Sequence, residues 1–350
     1  MALWCTAASA AVMHDLYDAE VPVDDQGEQQ RAQAEHTAMN QVLIKVTGDS
    51  EITTNPKVDD LLGHAQKYVQ RFSYRTVAAA PPEGAPAAVL RQMLLVHFDP
   101  KAVLGFLREA GIPVWGQTRP TVLVWLAVEE DGERYLVAGD RSQDLQQLIR
   151  QEAARRGLRV FLPLYDLEDQ QVMGVADVWG NFQQVIAQAS QRYGADAVMV
   201  GRVYHRDAQD WRASWTLYEG RDSSSWQDDG GDVGDAVGQG VDGLADTLAQ
   251  QFAQVISETV EASVGLQITG VGSIRDYARV AKYLAGLDLV SHVEVDRVAG
   301  DSVFVHLALL GDSKRLLQHI RLGTTLEQVP SVPGARVAAK DNLLVYRLVP

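Results

Sequence analysis

Thr121-Val122-Leu123-Val124-Trp125-Leu126-Ala127-Val128 is the stretch whose reading decides the fold. The eight residues carry no charge and are rich in β-branched side chains. That composition suits a strand buried on both faces better than one with a face in water. Burial on both faces demands helices on both sides of a sheet, and the residues that follow supply them. Residues 143–156 place Leu145, Leu148, Ile149 and Ala153 on one helical stripe. A strand is expected at 160–164, a helix at 181–192 and a strand at 197–203. Residues 211–218 then pair with the last of these as a hairpin. Val233, Val237, Val241, Leu244, Leu248 and Phe252 recur about four apart on a closing helix. The order is strand, helix, strand, helix, strand, strand, helix, which predicts an α/β sheet domain over 119–258.

The flanks read differently. Residues 12–118 form an N-terminal α+β domain. A strand at 17–23 leads into a helix at 26–41, capped by Asp24-Asp25. The run 42–46 either extends that helix or forms a strand. Leu61, Leu62, Ala65, Tyr68, Val69 and Phe72 have helical spacing, so 58–72 is expected to be helical. Strands at 74–77 and 90–98 and a helix at 101–110 complete the domain. The Pro/Gly-rich 78–88 is a connection. Residues 259–350 give strand 264–268, helix 274–287, a hairpin of 290–298 with 302–309, helix 313–322 and strand 343–349. A loop is expected at 330–341. This is a ferredoxin-like βαββαβ pattern, a fold that implies no function by itself. The fold class is therefore α/β and α+β, in several domains.

Composition narrows the function. The chain has 350 residues, 46% hydrophobic, with a formal net charge of −15. So acidic a chain repels phosphate backbones, which argues against nucleic acid as a partner. No run of about 18 apolar residues is present, so no transmembrane helix is expected. The uncharged start MALWCTAASAA contains the only cysteine, Cys5. Its Ala8-Ser9-Ala10 has the small-x-small form of a signal-peptidase site. The basic residues that normally precede such a segment are missing, so 1–10 reads as a truncated signal-peptide remnant. The mature chain is then periplasmic and free of cysteine, without thiol chemistry or disulfides.

VPVDDQGEQQRAQAEHTAMNQVLIKVTGD (21–49), YVQRFSYR (68–75), LLVHFDP (94–100), GIPVWGQTRPTVLVWLAVE (111–129) and GADAVMVGRV (194–203) together resemble the bacterial domain-of-unknown-function family 2066. The likeness extends from Ala19 to about Val329. It implies a cell-envelope protein of Gram-negative bacteria with no assigned activity, and it supplies no catalytic residues. In element order alone, the middle region is also similar to the α/β modules of TolB amino-terminal domains and curli-secretion lipoproteins.

Candidate chemistry is weighed residue by residue. Gly48-Asp49-Ser50, Gly300-Asp301-Ser302 and Gly311-Asp312-Ser313 repeat a motif that can carry a hydrolase serine. Their positions suit turns and caps instead, and no G-x-S-x-G elbow supports a nucleophile. Residues 228–242, DDGGDVGDAVGQGVD, suggest a calcium loop or phosphate cradle. They lack the closing Glu of the first and the G-K-[ST] of the second, and are read as an acidic helix start. His292, Glu294 and Asp296 alternate on a strand and read as a solvated face rather than a metal site. His14, His36, His64, His97, His205, His306 and His319 show no paired spacing. Arg155-Arg156 reads as a solvated helix face. Trp211, Ala213, Trp215 and Leu217 share a strand face that would bind glycan if exposed, but large aromatics so placed read as core under a helix. Trp115 and Trp125 flank the first domain boundary and are expected to pack it. Gly270-Val271-Gly272 is read as a turn. No catalytic, cofactor or metal residue emerges, and no cofactor is expected. The leading expectation is a non-catalytic envelope protein that binds protein partners. The alternatives are a hydrolase or glycan-processing enzyme with carboxylates in an inter-domain cleft, and a glycan-binding module.

If Ala8-Ser9-Ala10 is a cleavage site, protein made from the full gene begins at Ala11. Amino-terminal sequencing of the exported protein checks this, and a chain that still begins at Met1 refutes it.

Overall fold

The computed structural model describes residues 13, 15–79, 89–139, 142–205, 210–255, 262–287, 289–310, 312–322, 325–329 and 343–349. Among them the chain is a multi-domain α/β and α+β protein built on three sheets. No helix among these residues is long and apolar enough to cross a membrane. Of the expected loops, 80–88 and 330–341 lie outside the described residues, as do residues 1–12, which hold the proposed signal remnant.

The first sheet is antiparallel in the order β1-β3-β2. Its unit comprises β1 (Asp18–Val23), α1 (Glu28–Thr47), α2 (Asp59–Gly63), β2 (Val69–Ala79), β3 (Val89–Phe98) and α3 (Pro100–Glu109). Strand alternation turns Val21, Leu94, Val96 and Phe98 onto one face, where Ala38, Met39, Val42 and Leu43 of α1 bury them. Residues 42–46 thus extend the helix. Two expectations are corrected. Gly27, not Asp24-Asp25, occupies the N-cap, and Asp25 folds back to accept the Gly27 N–H at 2.6 Å. The helix expected over 58–72 is broken into α2 and short 3₁₀ turns at Pro56–Val58 and Ala65–Tyr68. Val69 and Phe72 belong to β2, where they pair with Phe98 and Val96. Leu61, Leu62 and Ala65 reach the core from these short turns, while the free edge of β3 draws Val69 onward into a ladder.

The second sheet contains β4 (Thr121–Glu130), β5 (Glu133–Leu136), β6 (Arg159–Phe161), β7 (Ala197–His205), β8 (Trp211–Glu219) and β9 (Asp222–Gly230). Its order is β5-β4-β7-β8-β9, with the short β6 parallel to the start of β4. Helices α4 (Gln143–Arg155) and α8 (Val233–Phe252) cover one face, and α5 (Leu167–Val172), α6 (Val175–Trp179) and α7 (Gln183–Ser190) cover the other. Strand β4 is buried on both sides as its composition predicts. Val122, Val124, Leu126 and Val128 meet α4 and α8, and Leu123, Trp125 and Ala127 meet the other layer.

The third sheet has the order β11-β12-β10-β14-β13. It is built from β10 (Ala262–Thr269), α9 (Ile274–Ala285), β11 (Val290–Ala299), β12 (Ser302–Leu309), α10 (Ser313–Leu322), β13 (Leu326–Gln328) and β14 (Leu344–Leu348). The order β11-β12-β10-β14 matches that of a ferredoxin-like sheet, but the expected pattern is corrected in one respect. Strand β14 runs parallel to β10, where that fold has an antiparallel strand, because the added edge strand β13 follows α10 and the chain reverses into β14.

The first two sheets are joined through the end of α1. A helix leaves its last carbonyls without intrahelical donors. Here Arg119 Nη2 donates to Lys45 O at 2.6 Å, Trp115 N to Val46 O at 2.7 Å, and Arg156 Nη2 to Gly48 O at 2.8 Å. Both arginines are fully buried. Arg119 also donates to the carbonyls of Gly116, Gly157 and Trp115, and its guanidinium lies 3.9 Å from the Trp115 ring centroid. Arg156 pairs with Asp242 at 2.6 Å and Asp246 at 2.5 Å on α8. The solvated face expected for Arg155-Arg156 is corrected on this point, because only Arg155 reaches solvent. Trp115 packs the junction as expected, stacked on Phe252. Trp125 does not. It lies on the opposite face of the second sheet, donating to Ser190 Oγ at 3.0 Å.

Replacing Arg119 with Leu strands several buried carbonyls, each worth about 1–3 kcal/mol when left unsatisfied. Arg119→Leu is expected to cost about 3 kcal/mol or more, and Arg156→Leu about 1–3 kcal/mol. Urea unfolding measures both. Costs below about 0.5 kcal/mol for both, the range of ordinary surface substitutions, would show that the junction does not depend on them.

Candidate functional site

Among the described residues, helices cover only one face of the first sheet. Opposite the α1 core, β1 presents Asp18 and Glu20, β3 presents Met93, Leu95 and His97, and β2 presents Arg71, Ser73 and Arg75. The pairing sets their rows. Asp18 stands across from His97, which stands across from Arg71, and Glu20 aligns with Leu95 and Ser73. Asp18, Glu20, Leu95, His97, Arg71 and Ser73, together with Asp15 and Lys45, line a cleft of about 640 Å³, and Met93 and Arg75 lie on the same face beyond it.

Its charges are arranged in pairs. His97 Nδ1 lies 2.6 Å from Asp18 Oδ1. Arg75 grips Glu20 with two hydrogen bonds, at 2.6 and 2.5 Å. Lys45 leans over from α1 and donates to Asp18 O at 2.8 Å. Burial pushes the Lys45 ammonium below the ordinary lysine range, against the attraction of Asp15 and Asp18. Arg71 has no hydrogen-bond or ion-pair partner among the described residues. A carboxylate beside an imidazole is the orienting half of an acid–base unit. Here, however, the Asp18 side chain is 43% exposed and His97 19%, whereas electrostatic catalysis works in sites that exclude water. The arrangement suits recognition of a surface carrying both charges and some apolar area.

The other candidates resolve into structural roles. Trp211 and Trp215 are 7% and 2% exposed, so this face is core, as expected for large aromatics on one strand face, and the glycan-binding alternative falls. Gly48 is the left-handed C-cap of α1, Gly300 turns the β11–β12 hairpin, and Asp312 accepts the Lys314 N–H at the start of α10. Gly311 lies outside the described residues, as does His14. Gly270 has a positive φ, and Val271 is tucked against Asp301. His306 pairs with Asp296 at 2.6 Å, while His319 is buried against Phe252. His292, Glu294 and Asp296 lie on the edge strand β11. Among the described residues no three His, Cys, Asp or Glu side chains are placed to hold a metal ion.

Among the described residues two carboxylates are buried, and they lie against different sheets. Glu35 is on α1. Asp169, on α5, receives the Tyr193 hydroxyl at 2.5 Å and Arg192 at 3.2 Å. Arg192 also grips Asp166, the N-cap of α5, and holds its carboxyl down at about 2. Burial, helped by Asp169, pushes the Tyr193 hydroxyl up to about 12. This cluster fastens α5 to the end of α7 and is no acid pair across a cleft.

The glycine-rich 228–242 stretch has a packing explanation. Asp232 caps α8 by accepting the Asp235 N–H at 2.7 Å. A Cβ on Gly240 would stand 2.1 Å from the Trp215 ring, and one on Gly243 would stand 2.4 Å from Trp226 Nε1. Across the sheet, a Cβ on Gly201 would also meet Trp215 at 2.1 Å. The glycines let α8 lie directly on two indoles. Asp228 is held beneath the same helix, and burial raises its carboxyl above the usual range.

Sequence reasoning missed Asp18, Lys45, Arg71 and His97 as a group. Alternation in β1 and β3 could have placed Asp18 and His97 opposite their core neighbours. The register that joins them spans 79 residues, and no local pattern encodes it.

Comparison with known proteins adds a family signal for this unit. The model of a domain of unknown function (DUF8605) matches residues 10–116, the region that holds the cleft. It supports an uncharacterised domain and does not confirm family 2066. No curated protein matches the chain. The crystal structure of lipoprotein GNA1162 from Neisseria meningitidis is 20% identical, over 37% of this chain and 99% of that one, with a TM-score of 0.22. A likeness that low carries no argument about fold or function.

Two α8 glycines separate packing from a ligand loop. Gly238→Ala meets only Glu152 Cγ at 3.9 Å and should stabilise by about 0.5–1 kcal/mol through helix propensity. Gly240→Ala overpacks Trp215 and should destabilise by about 1–3 kcal/mol. Thermal unfolding of the two variants checks the contrast, and equal shifts would refute it.

Proposed function

We propose that the chain is an exported cell-envelope protein that works by contact with a protein partner rather than by catalysis, and that the open face of the first sheet is its contact surface. The observation that carries this reading is a sheet with one face packed under α1 and the other left without a described helix, where Met93 and Leu95 sit half-buried among paired charges. Interfaces that form and separate combine such an apolar centre with a polar rim. Export is supported by the Ala8-Ser9-Ala10 segment, and an envelope role by the resemblance to family 2066. The chain divides, in this reading, into units at 12–118, 119–258 and 259–350. The middle unit, covered on both faces, serves as the rigid support to which the first is fastened.

A photo-crosslinking residue at Met93 or Leu95 tests the surface in cells expressing the full gene. The expected result is an adduct of discrete mass in the envelope fraction, lost with Arg71→Glu, and none from a probe at exposed Gln170 on α5. Absence of an adduct at both sheet positions would overturn the contact surface. Turnover of a hydrolase substrate that His97→Ala abolishes would overturn the non-catalytic reading.

A further inference from the structure

A second cleft, of about 550 Å³, opens between the first half of α1 and the edge strand β2, lined by Glu28, Arg31, Glu35, Gln70 and Phe72 among others, with Arg71 at its margin. We propose that this cleft binds a guanidinium or primary-ammonium group, with Glu35 as its acceptor, Phe72 as its aromatic wall and Arg31 as a built-in occupant that the ligand displaces.

Glu35 is only 5% exposed. Its oxygens keep their contact with solvent along the cleft, where a largely buried carboxylate would normally accept several hydrogen bonds from protein. Among the described residues Glu35 accepts none, and its one ion-pair partner is Arg31, whose Nε stands 3.6 Å away. That separation leaves the charge attracted but not hydrogen-bonded. Burial accordingly pushes the Glu35 carboxyl up, and Arg31 opposes the shift without cancelling it. The pair also runs in the weaker direction for a helix, with the cation one turn ahead of the anion. Helix stability therefore gives little reason for it.

Phe72 supplies the other half of the site. Its ring is 45% exposed, although it lies on the side of the sheet that faces α1. The Arg31 guanidinium lies over it, 5.2 Å from the centroid, within the range of a cation–π contact. The chain's own guanidinium thus already occupies the space between an aromatic face and a buried acid, too far from the acid to bond it. A cation entering from solvent can reach hydrogen-bond distance of Glu35 while Arg31 swings outward to Glu28 at the rim. The gain is a charge-assisted bond that Arg31 does not make.

The test uses the full chain and two probes sharing one guanidinium, agmatine and N-acetyl-arginine amide. Binding is read by titration calorimetry and by amide shifts in 28–35 and 69–72. Saturable binding of either probe is expected. Preference for agmatine would point to a free amine as the natural ligand, and preference for the amide to a basic peptide side chain. Glu35→Gln should weaken binding about tenfold or more, and Phe72→Ala by a few-fold. Arg31→Ala should tighten it, an effect that a merely structural ion pair would not produce. No saturable binding to either the natural chain or Arg31→Ala overturns the proposal. So does equal affinity in a folded Glu35→Gln.

Discussion

The carboxyl end of α1 is the constraint on which the rest of the structure depends. A helix end in the interior needs donors for its last carbonyls. Here they come from outside the helix and outside its sheet, through Arg119, Arg156 and the Trp115 N–H. Buried cations are costly unless paired and fully hydrogen-bonded. Asp242 and Asp246 answer Arg156, while carbonyls and the face of Trp115 answer Arg119. The negative end of the helix dipole favours both. Arginine suits this role because its planar fork spends several donors in fixed directions. The same residue links the junction to the cleft. Lys45 gives its carbonyl to Arg119 and its ammonium to Asp18, so a change at the junction moves a charge on the open sheet face.

Close approach of backbone to ring is the second organising feature. Trp215 is held between Gly201 on β7 and Gly240 on α8, and Gly243 admits Trp226 beside it. A helix of larger residues would stand farther from the sheet and leave the inner face of β8 underpacked. The loss of helix propensity at these glycines is offset by the apolar area of two indoles. Gly48 belongs to the same system. It ends α1 in the left-handed region, and a Cβ there would strike Ala249 and Trp115. One glycine thus closes the helix and admits the tryptophan beside it.

Much of the fold was legible because burial writes period and composition into the chain. The unbroken run of β4, the four-residue spacing of α8 and the alternation of Trp211, Ala213, Trp215 and Leu217 each specify an element and its inner face. Strand β9, with sequence DSSSWQDDG, carries one large apolar side chain and is held by its ladder to β8. No composition rule finds it. Strand β5 did have a signal, because Asp131-Gly132 at positive φ is the tight turn of a hairpin. The 58–72 region failed for a different reason. Leu61, Leu62 and Ala65 satisfy a helical period, but the free edge of β3 competes for the residues after Tyr68 and wins them. Arg156 could not be distinguished from Arg155 locally, since only the arrival of α1 and α8 decides which side chain is enclosed.

The two clefts share the edge strand β2, whose register is irregular between Val69 and Arg71. Past that irregularity, Arg71 turns toward the open sheet face and Phe72 toward α1. Arg71 and Phe72 line both clefts; the first adds Asp15, Asp18, Glu20, Lys45 and His97 to them, and the second adds Glu28, Arg31 and the buried Glu35. Both are set in a chain of net charge −15, whose long-range field raises the local concentration of cations and lowers that of anions. The Glu35 side works with that field, and its occupancy should fall as salt screens it. A single strand edge thus borders two clefts of mixed charge, both anchored through α1 to the second sheet.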